Sequence, residues 1–428
     1  MFLTTSLLLL VVVIAYIVCT KGFKLGVELS LFFSSIAVAL AGKIFTELPR
    51  HIAEGTTTYM DNILIFLTAT MFMNIIKETG GLTYLMKKVM DKLGKVRVLA
   101  LFFIFVLMMV PGAITGSGSV TVLVIGSIVT MALASMGISK VRICAIVFLL
   151  AGLSAVCPPV SMWAMITCAG AAVPYVGFEI PLLVPCVIVG LFTIYLLGIK
   201  KSAEPVPFET DNIPTNMAMW RVLVPILVMA TLIVIPRFAP FGFPTLGLPL
   251  TFAISAAVAF FCAPTKLSFI KISKDTVRQL LPLMGTMAVV GVMMQLFAAT
   301  GVRGLLAWAV VALPLNVMIA LLPIALPFSE GVFGFGGAGI LGIPLIWTFN
   351  QFGIHATTSL VGLSLLWMLG DALPPTAIIA RMAQQVVGYE GPGTYGKLLK
   401  TCILPGILTI AIALAYVIWS NEIAAILM

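Results

Sequence analysis

Two proline pairs tie this chain to a single spacing. Pro-Pro occurs only at Pro158-Pro159 and Pro374-Pro375, and each pair lies 47 residues after a proline that closes an apolar run. Those prolines are Pro111, after LFFIFVLMMV, and Pro327, after MIALLPIAL. At the same offset of 216 residues, Gly118 falls on Gly334 and Gly126 on Gly342. Upstream the offset is 221, and Met73, Asn74, Thr79 and Gly80 fall on Met294, Gln295, Thr300 and Gly301. The slip coincides with a longer basic loop in the first copy. The chain is therefore an internal repeat of apolar segments interrupted by Gly and Pro. Within a membrane this pattern marks transporter folds and their binding sites.

The membrane follows from composition. The chain is 61% hydrophobic and 9% charged, whereas a soluble domain carries about 25% charged residues. Apolar runs at 2–19, 25–42, 61–77, 180–199, 220–236, 245–262, 279–299 and 401–420 approach the ~20 residues that span a bilayer as a helix. Their continuity excludes the alternation of a barrel. The expected fold class is an all-α polytopic membrane protein with an inverted repeat, two re-entrant hairpins and two broken helices. The first run has no basic n-region or small-residue cleavage site, so it is expected to stay as a membrane helix.

The net charge of +9 comes from basic residues in short loops, which argues for the positive-inside pattern and against nucleic acid. The seven cysteines form no C-x-x-C pair and only two histidines are present, so neither a disulfide framework nor a histidine metal site is expected. No G-x-x-x-x-G-K-[ST] loop, H-E-x-x-H or G-x-S-x-G occurs. ATP-driven transport and an intramembrane enzyme are thus disfavoured, and no cofactor is expected beyond a coupling ion.

Charge also suggests orientation. Lys21/Lys24, Lys87–Arg97, Lys140/Arg142, Lys200/Lys201 and Lys266–Arg278 are expected on the cytoplasmic side. Runs 61–77 and 279–299 then cross in opposite senses, which makes the repeat inverted. The predicted organisation is scaffold helices over 1–60 and a first repeat over 61–199, with a hairpin at about 112–136 and a break at 158–159. A connecting loop and scaffold helices follow over 200–278. The second repeat spans 279–390, with a hairpin at about 328–348 and a break at 374–375, and a C-terminal helix occupies 391–428.

Each copy thus carries a Gly-rich stretch, GAITGSGSVTVLVIG and FSEGVFGFGGAGILG, and a proline break, SAVCPPVSMWAM and GDALPPTAIIA. Gly permits a tight tip with exposed amides and carbonyls. Pro removes a donor and blocks the preceding turn, and a break at membrane depth must be buried or line a cavity. A kinked helix with Gly at a packing contact is the alternative for each element alone. Gly116, Ser117, Gly118, Ser119, Gly334, Gly336, Gly337 and Thr376 are the candidate ion-binding residues, with Na⁺ the expected ion. Pro158, Pro159, Ser161, Pro374, Pro375 and Arg381 are the candidate substrate-binding residues. Arg381 suits a bidentate carboxylate but also snorkelling. Thr115 and Thr121 can instead back-bond to helix carbonyls. Glu330 and Asp371 can hold a cation or a proton, with Glu330 expected at a solvated mouth.

At GAITGSGSVTVLVIGSIVTMALASMGISK, LSAVCPPVSMWAMITCAGAA and LGDALPPTAIIA the chain resembles the large membrane subunit of TRAP transporters, the DctM-like family of the ion-transporter superfamily. The second hairpin, SEGVFGFGGAG, and Cys157 before the first break depart from that family. The resemblance implies an elevator mechanism in a bacterial or archaeal inner membrane. It also implies Na⁺-coupled uptake of an organic acid such as a dicarboxylate, with a small TRAP membrane subunit and a periplasmic solute-binding protein as partners. A stand-alone anion carrier of the same superfamily, needing no binding protein, is the alternative.

Overall fold

The apolar runs become helices. The computed structural model describes residues 2–93, 96–206, 216–238, 246–373 and 377–428. Among them every regular element is helical. The first half contains α1 (Phe2–Ile17), α2 (Val27–Ala41), α3 (Leu48–Thr57), α4 (Met60–Glu78), α5 (Gly81–Leu93), α6 (Arg97–Thr115), α7 (Gly118–Ser135), α8 (Lys140–Val156), α9 (Met162–Ala171) and α10 (Glu179–Gly198). The second contains α11 (Met219–Phe238), α12 (Leu248–Phe261), α13 (Phe269–Thr300), α14 (Val302–Val311), α15 (Leu315–Phe333), α16 (Ile343–Gln351), α17 (Ala356–Gly370), α18 (Ile378–Val387), α19 (Thr394–Ile418) and α20 (Ser420–Leu427).

The repeat organises these elements. An offset of 216 carries α6, α8, α9 and α10 onto α15, α17, α18 and α19, and α7 onto the segment that ends in α16. The offset of 221 carries α1 and α2 onto α11 and α12, and α4 and α5 onto the end of α13 and α14, further than the proline markers alone reach. Packing between the copies is reciprocal. Helix α2 lies on α13 and α12 on α4; α8 lies on α18 and α17 on α9; α7 lies on α18 and α16 on α9. A set of contacts that maps onto itself when the copies are exchanged is what a two-fold relation produces.

The helices gather in two groups. Helices α1–α4 pack with α11–α13, and α6–α10 pack with α15–α19, while α5 and α14 bridge them. Their burial differs. Helix α8 is buried from Ile143 through Val156, as is α17 over nearly its whole length. Helix α1 leaves Leu3, Leu7, Leu10 and Ile14 about half or more exposed. An apolar helix face with little protein cover is stable where lipid supplies the apolar surroundings. Five helices among the described residues are long and apolar enough to cross a bilayer singly. Helices α4 and α5 form a bent pair with an angle of 59°.

Pro111 and Pro327 close apolar runs in the sequence but lie inside helices: α6 continues to Thr115 and α15 to Phe333. A membrane helix tolerates an internal proline because neighbouring elements re-satisfy the freed groups. The hairpin arms are accordingly longer than drawn from the prolines, starting at Arg97 and Leu315. Arg97 ties down one hairpin base. Its guanidinium donates to Gly198 O at 2.9 and 2.7 Å and to Met136 O at 2.6 Å, satisfying carbonyls at the ends of α10 and α7.

Candidate functional site

The first tip is a two-residue turn. Gly116 ends α6 in the left-handed region (φ +67°), Ser117 is extended, and Gly118 starts α7. A side chain at Gly116 would be strained, and its Cβ would come within 2.9 Å of Phe66 and Val160. The tip therefore sits directly on the first break. There α8 stops at Val156, and Cys157 and Ser161 are extended. The Val160 N–H donates to Ala113 O at 3.0 Å. The phenol of Tyr175 spans the break, accepting from the Ser161 N–H at 3.3 Å and donating to Pro159 O at 3.2 Å. Pro158 and Pro159 are partly exposed.

The other side of this tip meets the second half. A Cβ on Gly118 would overlap Ile379 of α18 and approach Ala151 O of α8 at 2.6 Å. Gly112 lies so close to α8 that a Cβ there would overlap Ser154 Oγ. The hydroxyls divide into engaged and free. Thr115 back-bonds to Pro111 O at 2.8 Å, and Thr121 pairs with Ser154 Oγ at 2.8 Å. The Ser161 hydroxyl is buried without a hydrogen-bond partner. Among the described residues no hydrogen bond engages the hydroxyls of Ser117, which is buried, or Ser119, which is partly exposed. Hydroxyl oxygens are of the kind that can ligate a hard cation.

The second tip turns two residues later in the repeat register and has a different chemistry. Helix α15 ends at Phe333, Gly334 turns with φ +57° and ψ −143°, and the chain re-enters a helix through buried Gly336 and Gly337. A wide turn over Ala338–Gly342 precedes α16. Gly337 packs on Ser329, with its Cβ position 2.9 Å from Ser329 Oγ. This tip also rests on both halves. The ring of Phe335 lies 5.6 Å from that of Trp163 in α9, and Thr167 of α9 donates to Ala338 O at 3.3 Å. On the other side, Gly331 abuts Leu373, and a Cβ on Gly370 would overlap Glu330 Cβ.

Glu330 does not lie at a solvated mouth. It is 1% exposed, and Asp371, at the end of α17, is 4% exposed. The longer arm of α15 explains the difference: Glu330 falls in the last helical turn, against the break, and not at its entrance. Both Glu330 oxygens, Asp371 Oδ2 and the Trp163 indole N–H lack good hydrogen-bond geometry. The two carboxyl groups interact electrostatically, with Trp163 beside Glu330. Pro374, Pro375 and Thr376 lie outside the described residues. Arg381 is exposed on α18. Among the described residues no group of three or more His, Cys, Asp or Glu could hold a metal, and all seven cysteines are free.

Sequence reasoning paired Asn74 with Gln295, and the structure gives Asn74 a bridging role. Its amide donates to Thr276 Oγ1 at 2.9 Å and Gln279 Oε1 at 3.2 Å, joining α4 to α13. Two site residues escaped notice. Ser154 and Trp163 sit inside apolar runs, and only the packed structure aims them at the tips.

No protein-family model matches this chain, and no curated protein sequence matches it. Solved structures share its fold, among them these two. One is MtrF of Neisseria gonorrhoeae, described as illuminating a class of antimetabolite efflux pumps, at 14% identity and TM-score 0.63 over 87% of this chain and 84% of that one. The other is the YdaH transporter of Alcanivorax borkumensis, described as having an unusual topology, at 15% identity and TM-score 0.61 over 89% of this chain and 88% of that one. At this identity the likeness is one of fold: the chain is an all-α, multi-pass membrane protein.

Proposed function

We propose that this chain is the membrane carrier of a secondary transporter, moving an organic acid with a coupling cation by an elevator motion. The observation that carries the proposal is the reciprocal convergence of the tips and the helices flanking the breaks. The first tip touches Val160 of the first break and Ile379 of α18; the second touches Leu373 beside the second break and Trp163 of α9. Broken backbone at membrane depth is retained where it lines a site, and sites of this kind sit at the interface of inverted repeats. The grouping of α6–α10 with α15–α19, apart from α1–α4 with α11–α13, fits one body carrying the site and another framing it. The efflux described for MtrF leaves the direction of transport to be measured.

In this reading Na⁺ sits on Ser117, Ser119 and Ser161 with the carbonyls around the first tip, and Thr376 serves the second half. The organic acid lies between the breaks, with Arg381 at its aqueous approach. The TRAP large-subunit reading adds a small membrane subunit and a periplasmic binding protein. A second reading, a carrier that works alone, is favoured by the second hairpin: SEGVFGFGGAG departs from the TRAP pattern at the place where Glu330 is buried. Uptake of radiolabelled organic acids into proteoliposomes separates the two. It would be run with and without a Na⁺ gradient, and with and without candidate partners. Uptake needing both gradient and partners supports the TRAP reading, and gradient-driven uptake by the chain alone supports the second. No uptake or efflux of any tested acid under either gradient overturns the carrier.

A further inference from the structure

The second hairpin contains an electrostatic problem that the first does not. Glu330 and Asp371 come from different helices and are brought together where α15 crosses the end of α17. No ion pair joins either to a described basic residue. A bare carboxylate is costly at membrane depth, and two facing each other are costlier still. Such a pair persists only when positive charge joins it, and like charges at close range cannot both stay ionised. The Trp163 indole N–H, fully buried and without a good acceptor, points the same way. It is a donor placed beside Glu330, able to hold one carboxylate oxygen while the pair keeps a proton between its other oxygens.

We propose that Glu330 and Asp371 form a proton-binding site, distinct from the hydroxyl-lined first tip. The proposal rests on the carrier reading above and adds a second coupling ion to it. One H⁺ enters from the aqueous side and binds a carboxylate oxygen of the pair, giving one carboxylic acid hydrogen-bonded to one carboxylate. The same H⁺ leaves on the opposite side, and no other bond changes. The groups facing the pair are few. Trp163 comes from α9. Tyr395 of α19 donates to Ala372 O at 2.6 Å. Arg381 of α18 and the thiols of Cys144 and Cys402 lie around that phenol.

The test needs no substrate. The full chain is reconstituted in lipid, and infrared difference spectra are recorded across a pH step, with and without Na⁺. A protonated-carboxyl band is expected that disappears in Glu330→Gln, shifts or disappears in Asp371→Asn, and survives in Glu422→Gln, which alters an exposed carboxyl near the C-terminus. Its persistence unchanged in both Glu330→Gln and Asp371→Asn would overturn the proposal. Its complete loss on adding Na⁺ at constant pH would also overturn it, because the pair would then be a Na⁺ site. Size-exclusion profiles show that each variant is folded, and two independent variants guard against the failure of one. The carrier reading is judged by uptake and this site by the infrared band, so either can fail alone.

Discussion

The two hairpins occupy matching positions in the repeat and differ in chemistry. The first is rich in hydroxyls and free of charge, with Ser117, Ser119, Thr121 and Ser154 at or beside its tip. The second has Phe333, Phe335, Gly337 and Gly370 at the matching positions. Its acids, Glu330 and Asp371, stand where the first half has Ile114 and Ala155. Even the close helix contacts swap sides. Gly112 on the first hairpin makes room for Ser154 on α8, whereas Gly370 on α17 makes room for Glu330 on the second hairpin. The repeat thus keeps its helices in register while the two hairpins differ in the side chains at and beside their tips.

That contrast can be broken from either side. The largest effect is expected from Ile114→Glu, which puts an acid in the first hairpin, where Ile114 is 2% exposed and faces no acidic counterpart. An unpaired buried charge costs about 3–5 kcal/mol, so the thermal midpoint of the purified protein should collapse. Next comes Gly112→Ala, whose methyl group would overlap Ser154. Overpacking costs about 1–3 kcal/mol. Adding Ser154→Gly, the residue type found at Gly370, should restore part of the loss. Gly370→Ala should resist rescue by trimming Glu330, because Pro327 O also crowds it.

Smaller effects sharpen the comparison. Ser117→Ala with Ser119→Ala should raise the Na⁺ concentration for half-maximal uptake about tenfold, equivalent to ~1.4 kcal/mol of lost oxygen ligation. An unchanged Na⁺ curve would remove the first tip from the ion site. Tyr175→Phe deletes the hydroxyl that bridges the first break, and Gly391 occupies the matching position in the second half. A loss of about 1 kcal/mol by thermal unfolding is expected. Opposite in sign to these losses is Glu330→Ile with Asp371→Ala, which copies the first half into the second. Replacing a buried ionisable cluster with apolar groups is often neutral or stabilising, within about 1–4 kcal/mol. The midpoint should hold or rise while any proton dependence of transport disappears.

Much of this architecture was legible in the sequence because Gly and Pro act on the backbone locally. The Pro158-Pro159 pair does lie between two helices, and both hairpins turn at a glycine, Gly116 in the first and, two residues beyond the matching register, Gly334 in the second. Helix limits were also readable from apolar run length: 61–77 became Met60–Glu78, and 180–199 became Glu179–Gly198. What was not legible depends on packing. Pro111 and Pro327 end apolar runs, and only packing shows that their helices continue through them. The burial of Glu330 depends on α15 running one turn further, against Gly370. Trp163 looked like any other apolar residue until α9 and the second hairpin met. The kinship of α1 and α2 with α11 and α12 shows mainly as an offset between finished helices, because beyond Gly26 falling on Gly247 these segments share no Gly-Pro marker.

The central claim is that the two hairpins enter the membrane from opposite sides and meet between the breaks. The most direct test labels their bases, at positions equivalent under the 216-residue offset. Ser135→Cys and Gln351→Cys, each in a background without the seven native cysteines, are exposed to a membrane-impermeant maleimide from one side and then the other. With the basic loops in the cytoplasm, Ser135→Cys should label only from the cytoplasmic side and Gln351→Cys only from the opposite side. Labelling of both from the same side would contradict the inverted repeat and the transport site built on it.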